Sequence, residues 1–485
     1  QRRGGTLKLG LSGASVFDSW DSRKHNDSFM ILAGHGCVFD CLTEITATGE
    51  LAGELAESWE ASADARIWTF NLRRGVTFHD GRPFRADDVI ASLDLHRDPR
   101  RGSPAWPLVE SISALEKLTD HQIRITLTSG NADLPFLLSD HHLVIYPAGD
   151  IVGAMRDGIG TGLYRLETFE PGSRMLATRV DSHYKDGRAG WFDSVELIAL
   201  NDGIARMSAL SAGTIHAANG VDFRARSRLK GKRDLAIIDV AGNRHIRFPF
   251  HAALGLRENH ALQQALKHAV DRDDIVANAL GGYGSVARDH PIGPSNQYFD
   301  AALEPPVYDP DRAAHILDTA DLQGFSIGLA ASDAAFPGSV AAARRFQDSA
   351  AIAGIEIRVS DLSSQDLGSE AWGHVGWRVS SCAGRVTEDW MFSTLRSGTG
   401  SLFSGPTELE RFEKLLLEAR AEFDSSRRRE MYVEMQRLCA ADGAAVIPAY
   451  ANHVDAHSTL LSHDAALGNT FGMDGMRIAE RWWFA

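Results

Sequence analysis

Cysteine is scarce in this chain: there are four in 485 residues, at positions 37, 41, 382 and 439. That is too few for a disulfide framework, and a zinc site begun by Cys37-x3-Cys41 lacks its second pair. No stretch approaches the ~18 consecutive apolar residues of a membrane span. Basic runs are also missing, and 50 Lys+Arg against 64 Asp+Glu leave a formal net charge of −14, which disfavours a nucleic-acid partner. The densest basic cluster, Arg427-Arg428-Arg429, reads as the exposed face of a helix. Low-complexity tracts, internal repeats and Pro/Ser linkers are absent. So are a Walker loop, a G-x-S-x-G elbow and an H-E-x-x-H pair. The 19 histidines are scattered without ligand spacing. No catalytic group, metal or cofactor is therefore expected. His141-His142, following Ser139-Asp140, reads as a surface turn whose adjacent side chains point apart.

What is present describes a soluble α/β protein. A hydrophobic fraction of 44% with 24% charged residues is that of a globular chain. Its length implies more than one domain, since single cores stop growing near ~250–300 residues. The chain opens Gln1-Arg2-Arg3-Gly4-Gly5 and runs straight into the strand-like Thr6-Leu7-Lys8-Leu9-Gly10. A mature exported protein looks like this once its leader has gone, and a trimmed cytosolic protein would look the same. The apolar segment Ile31 to Leu42 reads as helical, and spacing four puts Cys37 and Cys41 on one face. The pair reads as buried thiols, with a disulfide or half a metal site as alternatives.

Strand and helix patterns alternate along the chain, as in α/β layers. Trp68, Phe70 and Leu72 alternate with Thr69, Asn71 and Arg73, the period of a half-buried strand. His79-Asp80-Gly81-Arg82 is a turn, and Ala86-Asp87-Asp88-Val89 places an acidic pair in the first turn of a helix, where it suits the positive end. Further on, helices are expected at Ala205 to Ala212, stopped by Gly213, at Ala261 to Val276, at about Ser339 to Ala353, at Phe412 to Phe423 and at Arg427 to Cys439. Strands are expected at Phe325 to Ala330, Gly354 to Val359 and Ala445 to Ala449.

The stretch Trp68 to Val89 resembles the signature of the extracytoplasmic solute-binding proteins that serve ABC importers of peptides, opines, some sugars and nickel. The likeness extends over nearly the whole chain. Leu51-Ala-Gly-Glu-Leu-Ala-Glu-Ser-Trp59, Thr161-Gly-Leu-Tyr-Arg-Leu166, Phe169-Glu-Pro-Gly172, Ala265-Leu-Lys-His-Ala-Val-Asp-Arg-Asp-Asp-Ile-Val276 and Pro291-Ile-Gly-Pro294 all resemble family segments in the family's order. The resemblance implies a two-lobed periplasmic-binding-protein fold of the large cluster C type, with mixed sheets flanked by helices and two hinge crossovers near 247 and 452. Lobe I is then 1–247 with 453–485 returning to it, and lobe II is 248–452. It further implies a monomeric, non-enzymatic receptor in the periplasm. Such a receptor captures a short peptide or amino-acid-derived, anionic solute between its lobes and delivers it to an ABC permease. An opine, glycoside or nickel-chelate receptor of the same family is the alternative, and a hydrolase on the same cleft stands further off. The nickel reading requires a histidine or a bound chelator.

Site residues follow from the same resemblance. The run Gly376 to Trp390 occupies the place where dipeptide binders carry an aspartate for the ligand's ammonium. Here Ala383-Gly384-Arg385 resembles branches with an arginine instead. Arg385 then reads as an anion clamp, and Asp389 as a partner for a cationic group or an orienter of Arg385. The alternative is that Arg385 bonds only to Asp389 or to loop carbonyls. Trp377 and Trp390, with Trp372, crowd one region and are candidate stacking faces. In the loop Ser332 to Gly338 dipeptide binders keep an arginine, but none occurs here before Arg344. Ser332 and Phe336 are candidates there, beside a helix N-terminus that favours an anion, against the reading of a plain strand-to-helix turn. In lobe I the cleft candidates are Phe17, Trp20 and His35; Tyr283 and Arg247 are weaker ones.

Overall fold

The structure, a computed structural model, describes the chain except for residues 1–2, 222–228, 230, 251–254, 334–335, 363–376, 397–402 and 404. Two units emerge. Unit 1 comprises Gln1–Val240, Arg420–Glu422 and His453–Ala485; unit 2 comprises Ala241–Ala419 and Phe423–Asn452. The chain passes from one unit to the other within the strands Leu235–Pro249 and Ala449–Ser458, and again at either end of the short stretch Arg420–Glu422.

Unit 1 holds a mixed sheet and a separate antiparallel one. In the mixed sheet, Thr6–Leu11 runs parallel to Ser194–Ala199 and Ala217–Ala218. Arg174–Arg179 and Tyr164–Glu170 extend it antiparallel. Leu7, Leu9 and Leu11 point into a core with Phe29, Phe39, Val195 and Trp482. The antiparallel sheet is ordered Ala56–Ala61, Ile67–Leu72, Gln122–Leu127, Ile112–Thr119. Its register sets Trp68 against Ile125 and Phe70 against Ile123, and all four side chains are buried. The alternation read from the sequence is thus the inner face of a sheet. The turn follows, with Gly81 at φ 89°, and then the helix Ala86–Asp94. The Asp88 carboxylate accepts from Arg85 N at 2.7 Å and from Ala148 N at 2.7 Å, so it caps the helix and ties down a distant loop.

Ile31 to Leu42 is not one helix. An α-helix spans Ser28–Ala33, a π-helical turn follows at Gly34–Val38, and Phe39 is extended. Cys41 lies beyond the helix, so the two sulfurs do not share a helical face; both are buried free thiols. The widened turn depends on Gly36, where a Cβ would come within 2.1 Å of the Met476 carbonyl oxygen.

Unit 2 packs helices on strands. Ser326–Ala331 and Glu356–Asp361 are parallel and connected through the helix Ser339–Ile352, close to the expected spans. The helix expected over 261–276 is interrupted: His260–Ala269 ends at Val270, and a new turn starts at Arg272. Asp271 causes the break, its side chain accepting from Asp274 N at 3.0 Å as an N-cap. Helix Pro406–Ala421 starts earlier than expected, whereas Ser425–Asp442 begins near Asp424-Ser425 as the sequence suggests, capped by Asp424 on Arg427 N at 2.9 Å. No helix among the described residues is long and apolar enough to cross a membrane.

Candidate functional site

In unit 2 the candidate loop is built against a strand. His245, Ile246 and Arg247 pair antiparallel with Cys382, Ser381 and Ser380. The chain then turns through Ala383-Gly384-Arg385-Val386-Thr387 into the helix Glu388–Arg396. Gly384 lies flat on the strand, and a Cβ there would stand 2.8 Å from the Asn243 Cβ. The loop is pinned from outside. Asn296 Nδ2 donates to the carbonyls of Arg385 and Val386, each at 3.2 Å. Thr387 Oγ1 accepts from Trp390 N at 3.2 Å and caps the helix. Glu388 Oε1 accepts from Tyr298 N at 2.7 Å, which makes it a structural carboxylate.

Arg385 is half-buried on this loop. Its Nη1 donates to the carbonyls of Ala383 at 3.3 Å and Gly384 at 3.0 Å. The guanidinium carbon lies 5.7 Å from the centre of the Trp390 ring, a cation–π contact. Its Nε is shielded from solvent without a hydrogen-bond partner, and no carboxylate among the described residues pairs with it. Asp389 is buried, as is Trp390. The structure therefore brings Arg385, Asp389 and Trp390 together on one short segment.

The other candidates are placed differently. Trp377 is in the core of unit 2 against Phe248 and Phe346. Trp372 lies outside the described residues. Phe336 belongs to the same core, and Ser332 is buried. Asp333 Oδ1 accepts from Val340 N at 3.0 Å, so the loop caps the following helix with its own carboxylate. That favours a strand-to-helix turn over an anion site. In unit 1, Phe17 is 84% exposed, whereas Trp20 is 2% exposed and packs on Phe39 and Phe169.

His35 belongs to a charge cluster that the sequence reading missed. Lys185 Nζ lies 2.6 Å from Glu54, 3.2 Å from Glu44, 3.2 Å from Glu480 and 3.7 Å from Asp40. Arg477 Nη1 lies 2.7 Å from Glu54 and 3.0 Å from Glu480, while its Nη2 lies 3.1 Å from His35 Nε2. Asp40, Glu54 and Glu480 have the spacing of metal ligands, but the ammonium and the guanidinium already fill their centre. Burial and the neighbouring Arg477 hold His35 well below its ordinary range, so it is neutral. His141-His142 is no surface turn either. Both rings are buried with centres 3.9 Å apart, His142 Nδ1 on Asp140 at 2.6 Å and His141 Nε2 on the His25 carbonyl at 3.0 Å.

The cluster sets four carboxylates, those of Asp40, Glu44, Glu54 and Glu480, against the cations of Lys185 and Arg477. Burial pushes Glu54 up to about 7, against the pull of Arg477 and Lys185, with Asp40 and Glu44 adding repulsion. Its folded pKa lies above its unfolded one, so the stabilisation is full below the unfolded value and is lost as pH rises through about 7. Glu44, by contrast, is lowered to about 2: burial opposes this shift, but Lys185 and Arg477 outweigh it. Its contribution is present above the unfolded value and lost in strong acid. The melting temperature should therefore decline between about pH 5 and pH 8. Glu54→Gln, which mimics the protonated side chain, should flatten that decline. An equally steep decline in the variant would assign the titration to another group.

Comparison with known proteins agrees with this architecture. Residues 50–402 match the family model described as bacterial extracellular solute-binding proteins, family 5 Middle. The dipeptide-binding protein of Escherichia coli K12 is 25% identical over 439 residues, covering 83% of this chain and 81% of that one. The glutathione-binding protein GsiB of Pectobacterium atrosepticum is 26% identical over 324 residues, 66% of this chain and 62% of that one. The structure of the periplasmic binding protein AgaA of A. tumefaciens R10 in complex with agropinic acid superposes with a TM-score of 0.82 at 21% identity, covering 99% of both chains. The mixed α/β architecture is thus that of periplasmic binding proteins.

Proposed function

The chain belongs to the bacterial extracellular solute-binding proteins of family 5, non-enzymatic substrate-binding components of ABC transporters, and we propose that its solute is a short peptide or amino-acid-derived molecule bearing an anionic group. One observation carries this reading. The Arg385 guanidinium, half-buried over Trp390, bonds only to carbonyls of its own loop and keeps an Nε without a partner among the described residues. A guanidinium so placed offers a rigid fork to a carboxylate. Asp389, in the first turn of the helix that follows, orients that fork or receives a cationic group of the solute. The dipeptide, glutathione and agropinic acid named for the relatives are all amino-acid derivatives with carboxylates, which supports the reading.

In this proposal the protein acts as a monomer in the periplasm, delivers its solute to an inner-membrane permease, and captures it by closing its two units about the strands Leu235–Pro249 and Ala449–Ser458. A thermal-shift panel of dipeptides, glutathione and opines should yield at least one stabilising solute. Small-angle scattering with that solute at saturation should show a smaller radius of gyration than the solute-free protein. An unchanged radius would remove closure from the proposal, and a panel without a hit would remove the ligand class.

A further inference from the structure

The sequence spreads its histidines without ligand spacing, but the fold of unit 1 gathers two of them on an acid. Asp140, His141 and His142 follow the short helix Leu134–Leu137. Asp140 Oδ1 accepts from His142 N at 2.9 Å, which turns the carboxylate back onto the two residues that follow it. His142 Nδ1 then lies 2.6 Å from Asp140 Oδ1, and His141 Nδ1 lies 3.9 Å from Asp140 Oδ2. One ligand atom from each of the three side chains lies within 4.8 Å of the other two.

Three features set this group apart from an ordinary hydrogen-bonded turn. The far nitrogen of each ring is anchored on an oxygen: His141 Nε2 donates to the His25 carbonyl at 3.0 Å, and His142 Nε2 donates to Asn26 Oδ1 at 3.3 Å. Metal-bound imidazoles are held in this way, because the anchored N–H fixes the ring and presents the other nitrogen to the ion. Next, no lysine or arginine among the described residues pairs with Asp140, which meets only the two imidazoles. The Asp40, Glu54 and Glu480 group differs, since Lys185 and Arg477 fill its centre. Finally, the separations suit an ion. Around a tetrahedral ion with bonds of about 2.0–2.1 Å, neighbouring ligand atoms stand roughly 3.3 Å apart. The two separations in the group, 2.6 and 3.9 Å, bracket that value. Asp140, His141 and His142 keep 8%, 9% and 7% of their surface exposed, so an ion can reach them from solvent.

We propose that Asp140, His141 and His142 bind a divalent transition-metal ion of the zinc type, through one carboxylate oxygen and two Nδ1 atoms, with water completing the shell. Two nitrogen donors select such an ion over Mg2+ and Ca2+, which prefer oxygen. The ion replaces the proton that bridges His142 and Asp140, and that proton passes to solvent. All three ligands belong to unit 1, so the site does not depend on the Arg385 reading.

The test uses the whole chain stripped of metal by a chelator. Calorimetric titration with Zn2+ near neutral pH should show one equivalent bound at micromolar concentration or tighter, and excess Mg2+ should not compete. Co2+ should give the intense visible bands of a four- or five-coordinate site, bleached by Zn2+. Asp140→Asn and His142→Gln should each weaken Zn2+ binding by about 100-fold, and Asn26→Ala, which frees the ring of His142, by about tenfold. Asp140→Asn keeps the oxygen that accepts from His142 N, and melting of the metal-free variant checks that the fold survives. His315→Gln, at an exposed position of the helix Pro310–Thr319, should bind like wild type. Should the site variants fail to fold, anomalous scattering from wild-type crystals grown with zinc locates the ion. The inference is overturned if wild type binds no Zn2+ in the micromolar range, if Asp140→Asn and His142→Gln bind it like wild type, if Mg2+ competes equally, or if the anomalous peak lies only elsewhere. A solute panel without a hit leaves this site standing, and a chain that binds solute but no Zn2+ removes the site alone.

Discussion

Lys185→Met should cost unit 1 about 3–5 kcal/mol, the penalty for removing one partner from a buried ionic network. Lys185 is 2% exposed and lies within 4 Å of four carboxylates, those of Asp40, Glu44, Glu54 and Glu480. Methionine fills similar volume, so lost packing contributes little. What remains is Glu44, Glu54 and Glu480 on Arg477, and Asp40 beside Thr161 and His183. They respond by binding protons, and the size of the loss therefore depends on pH: it should be smaller near pH 5, where protons are available, than near pH 8. In thermal denaturation the shift should be on the order of 10 °C. Lys185→Met combined with Glu54→Gln should recover part of the loss, because one surplus negative charge is gone. A Lys185→Met protein that melts like wild type at both pH values would show that the network is solvated and that its burial contributes nothing.

Why that network escaped the sequence is clear from its members. Glu54 and Arg477 bond across 423 positions, and each charge on its own looks like a surface residue. Local rules read the chain well where the determinant is local. Trp68, Phe70 and Leu72 give the inner face of a strand by alternation alone, and Asp424 marks a helix start by its own side chain. They fail where the determinant is remote or hidden. The apolar spacing of Leu262, Leu266, Ala269, Val270 and Ile275 runs on through the cap at Asp271, so the break in the helix is invisible to periodicity. The π-turn at Gly34–Val38 depends on the Met476 carbonyl over Gly36, from the far end of the chain. Candidate aromatics carry the same ambiguity. Trp20 and Trp377 have the composition of a ligand platform, and the structure places both in cores. Arg385 was legible because its loop resembles a known segment. Arg247 was a weak candidate, because nothing in its neighbourhood of sequence reveals that its buried Nε has no partner among the described residues.

Arg385→Ala should weaken binding of the solute found by the panel by about 2–5 kcal/mol, a factor of tens to thousands in affinity. The fold should be nearly indifferent. In the solute-free protein Arg385 bonds to two carbonyls of its own loop and stacks on Trp390, with no ion pair among the described residues. Loss of such contacts from a half-buried side chain costs about 1 kcal/mol or less. Two readouts separate a clamp from a structural arginine. A clamp leaves the melting temperature of solute-free protein almost unchanged and removes the rise that solute produces. A structural arginine lowers the solute-free melting temperature and leaves the rise in place. Arg385→Lys should rescue only in part, since an ammonium supplies charge without the planar fork that grips a carboxylate through two bonds. Full rescue by lysine would mean that charge alone is recognised. If Arg385→Ala binds the solute with wild-type affinity, the anionic-solute reading loses the observation that carries it.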